Sequence, residues 1–151
     1  MIGVKVICVG KLKEDFYQKA CAEYGKRLGA FCRLELCELP EDTRPGNLAR
    51  EAEKIRQAIP QGSYVVALCI EGKEMSSEAL SRRITQLKNS GVSRVCFVVG
   101  SSEGLDAGFK QQADLRLSMS PMTFPHHLAR VMLLEQIYRA LSIEAGTKYH
   151  K

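Results

Sequence analysis

Three short stretches constrain this chain more than anything else in it: Ile2 to Val9 (IGVKVICV), Tyr64 to Ile70 (YVVALCI) and Arg94 to Val99 (RVCFVV). Each is apolar at nearly every position. A strand with one wet face alternates apolar and polar residues, so near-continuous runs predict strands covered on both faces, as in a parallel sheet. Arg33 to Leu39 (RLELCEL) alternates more and suits a sheet edge, and Asp114 to Ser118 is a weaker fifth strand.

Helical patterns separate these runs. Phe16, Ala20, Tyr24 and Leu28 recur every fourth residue, with Gly29 as a stop. Leu48, Ala52, Ile55 and Ile59 form a second stripe before Pro60. Leu80, Ile84 and Leu87 follow a start at Ser76 and Glu78 and precede Gly91. Strand, helix, strand, helix in succession predicts an α/β domain with helices packed on a mostly parallel sheet. With 151 residues, 45% of them hydrophobic and 26% charged, one core suffices, and residues 1–151 read as a single domain.

The opening apolar run is shorter than a signal-peptide core and no cleavage pattern follows it. No stretch approaches the ~20 apolar residues of a membrane span, so a cytoplasmic protein is expected. Cys8, Cys21, Cys32, Cys37, Cys69 and Cys96 are scattered without a CxxC pair, which reads as buried free thiols rather than a zinc site or disulfide framework. The net charge of +5 favours an anionic partner such as nucleic acid. The basic residues are spread along the chain, however, and a solvated surface accounts for them equally well.

Ligands of open α/β sheets bind beyond the carboxyl ends of the strands, which directs attention to EGKEMSS after Ile70 and GSSEGLDAG after Val99. Neither a GK[ST] ending nor GxGxxG is present, so phosphate cradling has little support. Gly100 to Gly104 does match GxSxG, the nucleophile elbow of serine hydrolases. Asp106 or Asp114 and then His126 follow in the order such enzymes use. The plain alternative is that these glycines permit a tight turn.

The C-terminal stretch MTFPHHLARVMLLEQIYRALSIEAGTKYHK carries the densest signals. Pro125 suits the first turn of a helix and Thr123 is close enough to cap it. Leu128, Val131, Leu134, Tyr138 and Leu141 trace one face, and Met132, Leu133 and Ile137 widen it, which implies burial on two sides, either within the domain's own core or against another subunit, with a homodimer contact favoured. His126 and His127 project about 100° apart, so they cannot form an i, i+4 metal pair, and no metal is expected. One of them either bonds a nearby carbonyl or stands beside the free N–H groups of the helix start, where a polar substrate group would dock. Arg130, four residues on, shares the side of His126. Lys148, Tyr149, His150 and Lys151 are either a frayed end or an aromatic and a histidine set between lysines to hold a nucleotide.

Taken together, VGKLKE, LCIEGK, FVVGSSEG, LSMSPMTFPHHLARVMLLEQIYRA and the terminal YHK resemble, in order and over essentially the whole chain, the ribosomal RNA large-subunit methyltransferase H family of the SPOUT class. The resemblance implies an α/β knot, with a C-terminal trefoil knot that general connection rules would not lead one to expect. It implies S-adenosylmethionine as methyl donor, a homodimer, and methylation of N3 of a pseudouridine in 23S ribosomal RNA. Carried over by position, the donor contacts fall on Leu68, Gly100, Met119, Ser120, Pro121, Met122, Thr123 and Phe124. The catalytic or RNA-contacting positions are His126, Arg130, Tyr149 and His150. One departure concerns Ser101, where the family commonly has a second glycine; a requirement for φ > 0 there would strain the serine or shift the loop. A serine hydrolase using GSSEG and a noncatalytic RNA-binding module are the alternative readings.

Overall fold

A computed structural model describes residues 1–151. Five strands, β1 (Gly3–Val9), β2 (Arg33–Leu39), β3 (Tyr64–Glu74), β4 (Arg94–Val99) and β5 (Leu115–Ser118), form one sheet in the order β2-β1-β4-β3-β5. Every neighbouring pair is parallel. The three apolar runs occupy the interior and the alternating β2 lies at an edge, as the patterning predicts. The helices are α1 (Asp15–Leu28), α2 (Asn47–Ala58), α3 (Ser77–Asn89), α4 (Ala107–Gln112) and α5 (His126–Glu144).

Two cores, one on each face of the sheet, explain why the central strands are apolar throughout. Val4, Val6, Val66, Val95 and Phe97 point toward the face covered by α1, α3 and α5, where Leu133, Leu134 and Ile137 are almost wholly buried. Ile7, Val9, Ala67, Cys96 and Val98 point the other way and meet Ala52 and Ile55 of α2 and Phe109 of α4. Burying each large aliphatic side chain stabilises the fold by roughly 1.5–3 kcal/mol before conformational entropy is charged against it. The cysteines are free, with Cys8, Cys21, Cys32 and Cys96 buried and Cys37 and Cys69 half-buried. Burial pushes the Cys8 thiol up to about 12, which suits packing and not nucleophilic chemistry.

Several local expectations are corrected. Phe16 is 64% exposed and falls outside the buried stripe of α1, whereas Leu28 is buried and Tyr24 packs against the core as expected, joined by Cys21 and Tyr17. Gly29 ends α1 in a right-handed conformation (φ −58°), so no left-handed glycine cap is used there. Ser76 caps α3 as the sequence indicates, its hydroxyl accepting from the Ala79 N–H at 3.0 Å. The short helix α4, capped by Asp106, was not foreseen. Thr123 does not cap α5: Pro125 itself is the N-cap residue, with no side-chain cap, and the helix begins at His126. The breadth of the apolar surface on α5 is used within the chain, where it packs between α1 and α3 against the sheet.

The greatest departure lies in β3. EGKE, expected as a strand-end loop, continues the strand to Glu74 after an irregularity: both Leu68 and Lys73 pair with Leu117 of β5, and residues 69–72 bulge out between them. Gly72 closes the bulge where a side chain has no room. A Cβ there would lie 2.7 Å from the carbonyl carbon and oxygen of Arg116. The bulge is therefore built on a close backbone approach.

Candidate active site

A cleft of about 600 Å³ opens beyond the carboxyl ends of β3, β4 and β5. Three backbone segments wall it: the β3 bulge (Leu68 to Glu71), the turn after β4 (Gly100 to Leu105), and the irregular stretch 119–125 leading into α5. This is where ligands of open parallel sheets bind, because consecutive strand-end loops diverge there and leave a crevice.

The turn after β4 folds back tightly on itself. The Gly104 N–H donates to the Ser101 carbonyl at 2.9 Å, and Gly104 alone among the turn residues has a positive φ, +87°. Gly100 is required for a different reason: a Cβ at that position would lie 2.4 Å from the Gly104 carbonyl oxygen. Ser101 carries no positive φ, so the strain considered for it is absent. It is 4% exposed, and its hydroxyl donates to Glu51 at 3.2 Å. Ser102 faces solvent and donates to Glu41 at 3.2 Å. No hydrogen bond joins Ser102 to His126, and the nucleophile–base pair that a hydrolase requires is not assembled.

Stretch 119–125 is held by its own polar groups. The Ser118 hydroxyl donates to the Ser120 carbonyl at 3.1 Å, and the Met122 N–H donates to the Ser120 hydroxyl at 3.0 Å. Of the donor contacts carried over by position, Leu68, Gly100, Met119, Ser120, Met122, Thr123 and Phe124 line the cleft together, while Pro121 is exposed and does not. Ile70, Glu71 and Lys110 also line it and were missed. Glu71 and Lys110 form an ion pair across one wall. Glu71 opens the EGKEMSS stretch to which the end of β3 directs attention, but only the bulge brings its side chain into the cleft wall.

His126 stands at the rim, half-buried at the start of α5. Its ring lies 4.0 Å, centroid to centroid, from that of His127 and close to Gly10, whose Cβ position would fall 3.3 Å from Nε2. Burial, together with the charges of His127 and Arg130, holds the imidazole below its ordinary value and keeps it neutral near pH 7.

Arg130 is elsewhere. It is 8% exposed, does not line the cleft, and points to the β1–α1 side, where Nη1 donates to Glu38 at 2.6 Å and Nη2 to the Gly10 carbonyl at 2.8 Å. Glu38 also accepts from the Leu12 N–H at 3.1 Å. Burial would raise the Glu38 carboxyl, but the hydrogen bonds from Arg130 and Leu12 outweigh it and hold it low. Sequence spacing places Arg130 on the side of His126 correctly, but it cannot reveal that the guanidinium is taken up by β1 and β2.

Tyr149 and His150 fold back along α5. The Tyr149 hydroxyl donates to Glu135 at 2.7 Å, and Arg139 lies 4.8 Å over the Tyr149 ring. His150 bonds Arg139 at 3.0 Å and Glu78 at 2.8 Å. Burial and the Glu135 hydrogen bond raise the Tyr149 phenol above its usual range. Glu135 is nine residues after His126, about 13 Å along the helix axis, and neither tail residue lines the cleft. The four positions considered for catalysis therefore fall into three separate environments within one chain.

A parallel α/β sheet with a crevice walled by strand-end loops and by the approach to the last helix is the arrangement in which α/β enzymes bind small ligands. Comparison narrows the class. The family model described as "Predicted SPOUT methyltransferase" matches residues 2–150, and the chain belongs to that family. It is 41% identical over 159 residues to the ribosomal RNA large subunit methyltransferase H of Leuconostoc citreum, with 99% of this chain and 100% of the relative covered. To the protein of the same name from Bifidobacterium adolescentis it is 44% identical over 157 residues, with 98% and 99% covered. Among solved structures, a probable methyltransferase from Bordetella pertussis superposes with a TM-score of 0.62 at 15% identity, over 93% of this chain and 96% of that one. A probable methylase family protein from Haemophilus influenzae gives 0.62 at 13%, over 99% and 71%. At such identities the structures attest the fold alone. No helix is long and apolar enough to cross a membrane.

Proposed function

We propose that this chain is a ribosomal RNA large-subunit methyltransferase that binds S-adenosylmethionine in the cleft beyond β3, β4 and β5 and transfers its methyl group to N3 of a pseudouridine in 23S ribosomal RNA. The observation that carries the reading is the convergence of Leu68, Gly100, Met119, Ser120, Met122, Thr123 and Phe124 on one cleft of about 600 Å³, joined to full-length similarity with proteins of that name. The C-terminal trefoil knot belongs to the same proposal, with stretch 119–125 as its cleft-facing part.

The donor supplies an electrophilic methyl on a sulfonium. What the residues contribute is placement, since in-line displacement depends on holding donor and acceptor at near-attack distance away from water. The backbone polar groups of the β3 bulge and of 119–125 offer fixed hydrogen-bonding partners, and Leu68, Leu105 and Phe124 offer apolar surface. N3 must lose a proton as the new bond forms. His126, neutral at the rim, is placed to accept it or to order the base that does.

Replacing His126 by alanine is expected to lower kcat by about 10²- to 10⁴-fold, the range of general-base contributions, while leaving the donor's Kd within about threefold. Unchanged turnover would reduce His126 to a helix-start residue. Because its folded-state pKa is depressed, the unfolded chain takes up this proton at a higher pH than the folded one. Stability linked to His126 is thus complete above the unfolded value, near 6.5, and is lost as pH falls from there through the folded pKa. The imidazole resonances should titrate below 6.5, and the acid limb of kcat/KM should follow them.

The separation of His126 from Tyr149 and His150 supports a homodimer formed through α5, in which each cleft receives the partner's tail. Leu128, Val131 and Met132 leave half-buried apolar surface on α5 for such a contact. Mixing the His126→Ala protein with a Tyr149→Ala/His150→Ala protein, each inactive alone, should restore roughly a quarter to a half of parent activity by forming one intact composite site per mixed dimer. No recovery after confirmed subunit exchange would rule the arrangement out.

A further inference from the structure

The turn after β4 is tied to the α2 side of the sheet by groups that methyl transfer itself does not use. Glu51, on α2, is 3% exposed. Its Oε1 accepts from the Ser101 hydroxyl at 3.2 Å and its Oε2 from the Asp42 N–H at 2.9 Å. The neighbouring Arg50 is committed to Asp42, with Nε 2.7 Å from Oδ2. Two further links run in parallel on the surface: Ser102 donates to Glu41 at 3.2 Å, and Asn47 donates to Glu103 at 2.7 Å.

A buried carboxylate persists only where hydrogen bonds offset its desolvation, and those of Glu51 come from the two segments on either side of it. Gly100 has no room for a side chain, so it cannot be anchored by one of its own. Anchorage falls on the next residue, whose hydroxyl reaches into the α2 side of the sheet.

We propose that Glu51 is a positioning residue for methyl-donor binding: through Ser101 it holds the Gly100 backbone in the cleft wall, and through Asp42 it locks the β2–α2 segment to that wall. The proposal rests on the reading of the cleft as the donor site. Preorganising a loop raises affinity by removing the ordering cost of binding, so Glu51 acts on Kd and KM for the donor more than on kcat.

The test measures Kd for S-adenosylmethionine by calorimetry, kcat and KM for methyl transfer, and Tm, for Glu51→Gln, Glu51→Leu, Ser101→Ala and the double variant Glu51→Leu/Ser101→Ala. Glutamine retains both contacts, its carbonyl accepting from the Asp42 N–H and its amide donating to the Ser101 hydroxyl. Glu51→Gln should therefore stay within about twofold of the parent, while Glu51→Leu raises Kd and KM about tenfold with kcat changed less than about threefold. Ser101→Ala should raise Kd about threefold to tenfold, and the double variant should bind no more weakly than Glu51→Leu, because the serine acts through the glutamate. Parent-like Kd in Glu51→Leu, or single losses that multiply in the double variant, would overturn the proposal. Should Glu51→Leu fail to fold, Ser101→Ala decides, and a parent-like Kd in it overturns the proposal too. A parent protein that does not bind the donor at all would instead refute the cleft assignment.

Discussion

Gly100→Ala is expected to weaken S-adenosylmethionine binding by about a hundredfold or more and to destabilise the chain by about 1–3 kcal/mol, the usual cost of forcing atoms into a packed site. The added methyl would lie 2.4 Å from the Gly104 carbonyl oxygen, 2.6 Å from its carbon and 3.0 Å from Leu105 Cγ. The nearest two atoms are backbone, so no rotamer change relieves the clash and the turn itself must open. That turn is a wall of the cleft. Calorimetric titration with the donor and urea unfolding would check both effects. A variant with parent Kd and parent stability would mean that the turn relaxes freely and does not define the donor site.

Arg130→Ala is expected to destabilise the chain more than any other single substitution of a charged residue in α5, since Arg130 is the one charged residue of that helix that is buried. Removing one partner of a buried ion pair costs about 3–5 kcal/mol when both charges are desolvated. Glu38 keeps 42% of its side-chain surface exposed and can recover water, which reduces the expected loss to about 2–3 kcal/mol. For a domain of this size that corresponds to a fall in Tm of roughly 5–10 °C. The Gly10 carbonyl and Glu38 lose their donor together, and the strand end that packs beside His126 is released. Turnover should therefore fall while donor affinity changes little. Glu38→Gln, which keeps an oxygen for the Leu12 N–H, should cost less than half as much. If Arg130→Ala keeps its Tm yet loses turnover, Arg130 acts on the substrate directly and the clamp is incidental.

How far the site could be read in advance differs from residue to residue. Leu68, Gly100, Met119, Ser120, Met122, Thr123 and Phe124 come from the family resemblance, and element order adds only that strand-end loops of a parallel sheet open on one side. The structure brings these residues to one cleft there. Ser101, where the family commonly has glycine, would be strained only if that position required a positive φ. The structure shows an ordinary backbone there and a hydroxyl with a partner 50 residues away. Such pairing has no periodic trace in sequence. Arg130 illustrates the same limit from the other direction: helix geometry gives the face, while the Glu38 and Gly10 partners that settle its use are 92 and 120 residues distant.

The chain's own text determined the covered parallel sheet, the edge position of β2 and the helices that follow β1, β2 and β3, because apolar periodicity reports which faces must leave water, and that requirement is local. Only the tertiary structure decided that β3 runs on past a bulge, that Glu71 turns into the cleft, and that His126, Arg130 and Tyr149 occupy different surroundings. Each of these depends on a contact between distant backbones or a charge finding a remote partner, and pairwise complementarity of that kind is fixed by packing the whole molecule at once.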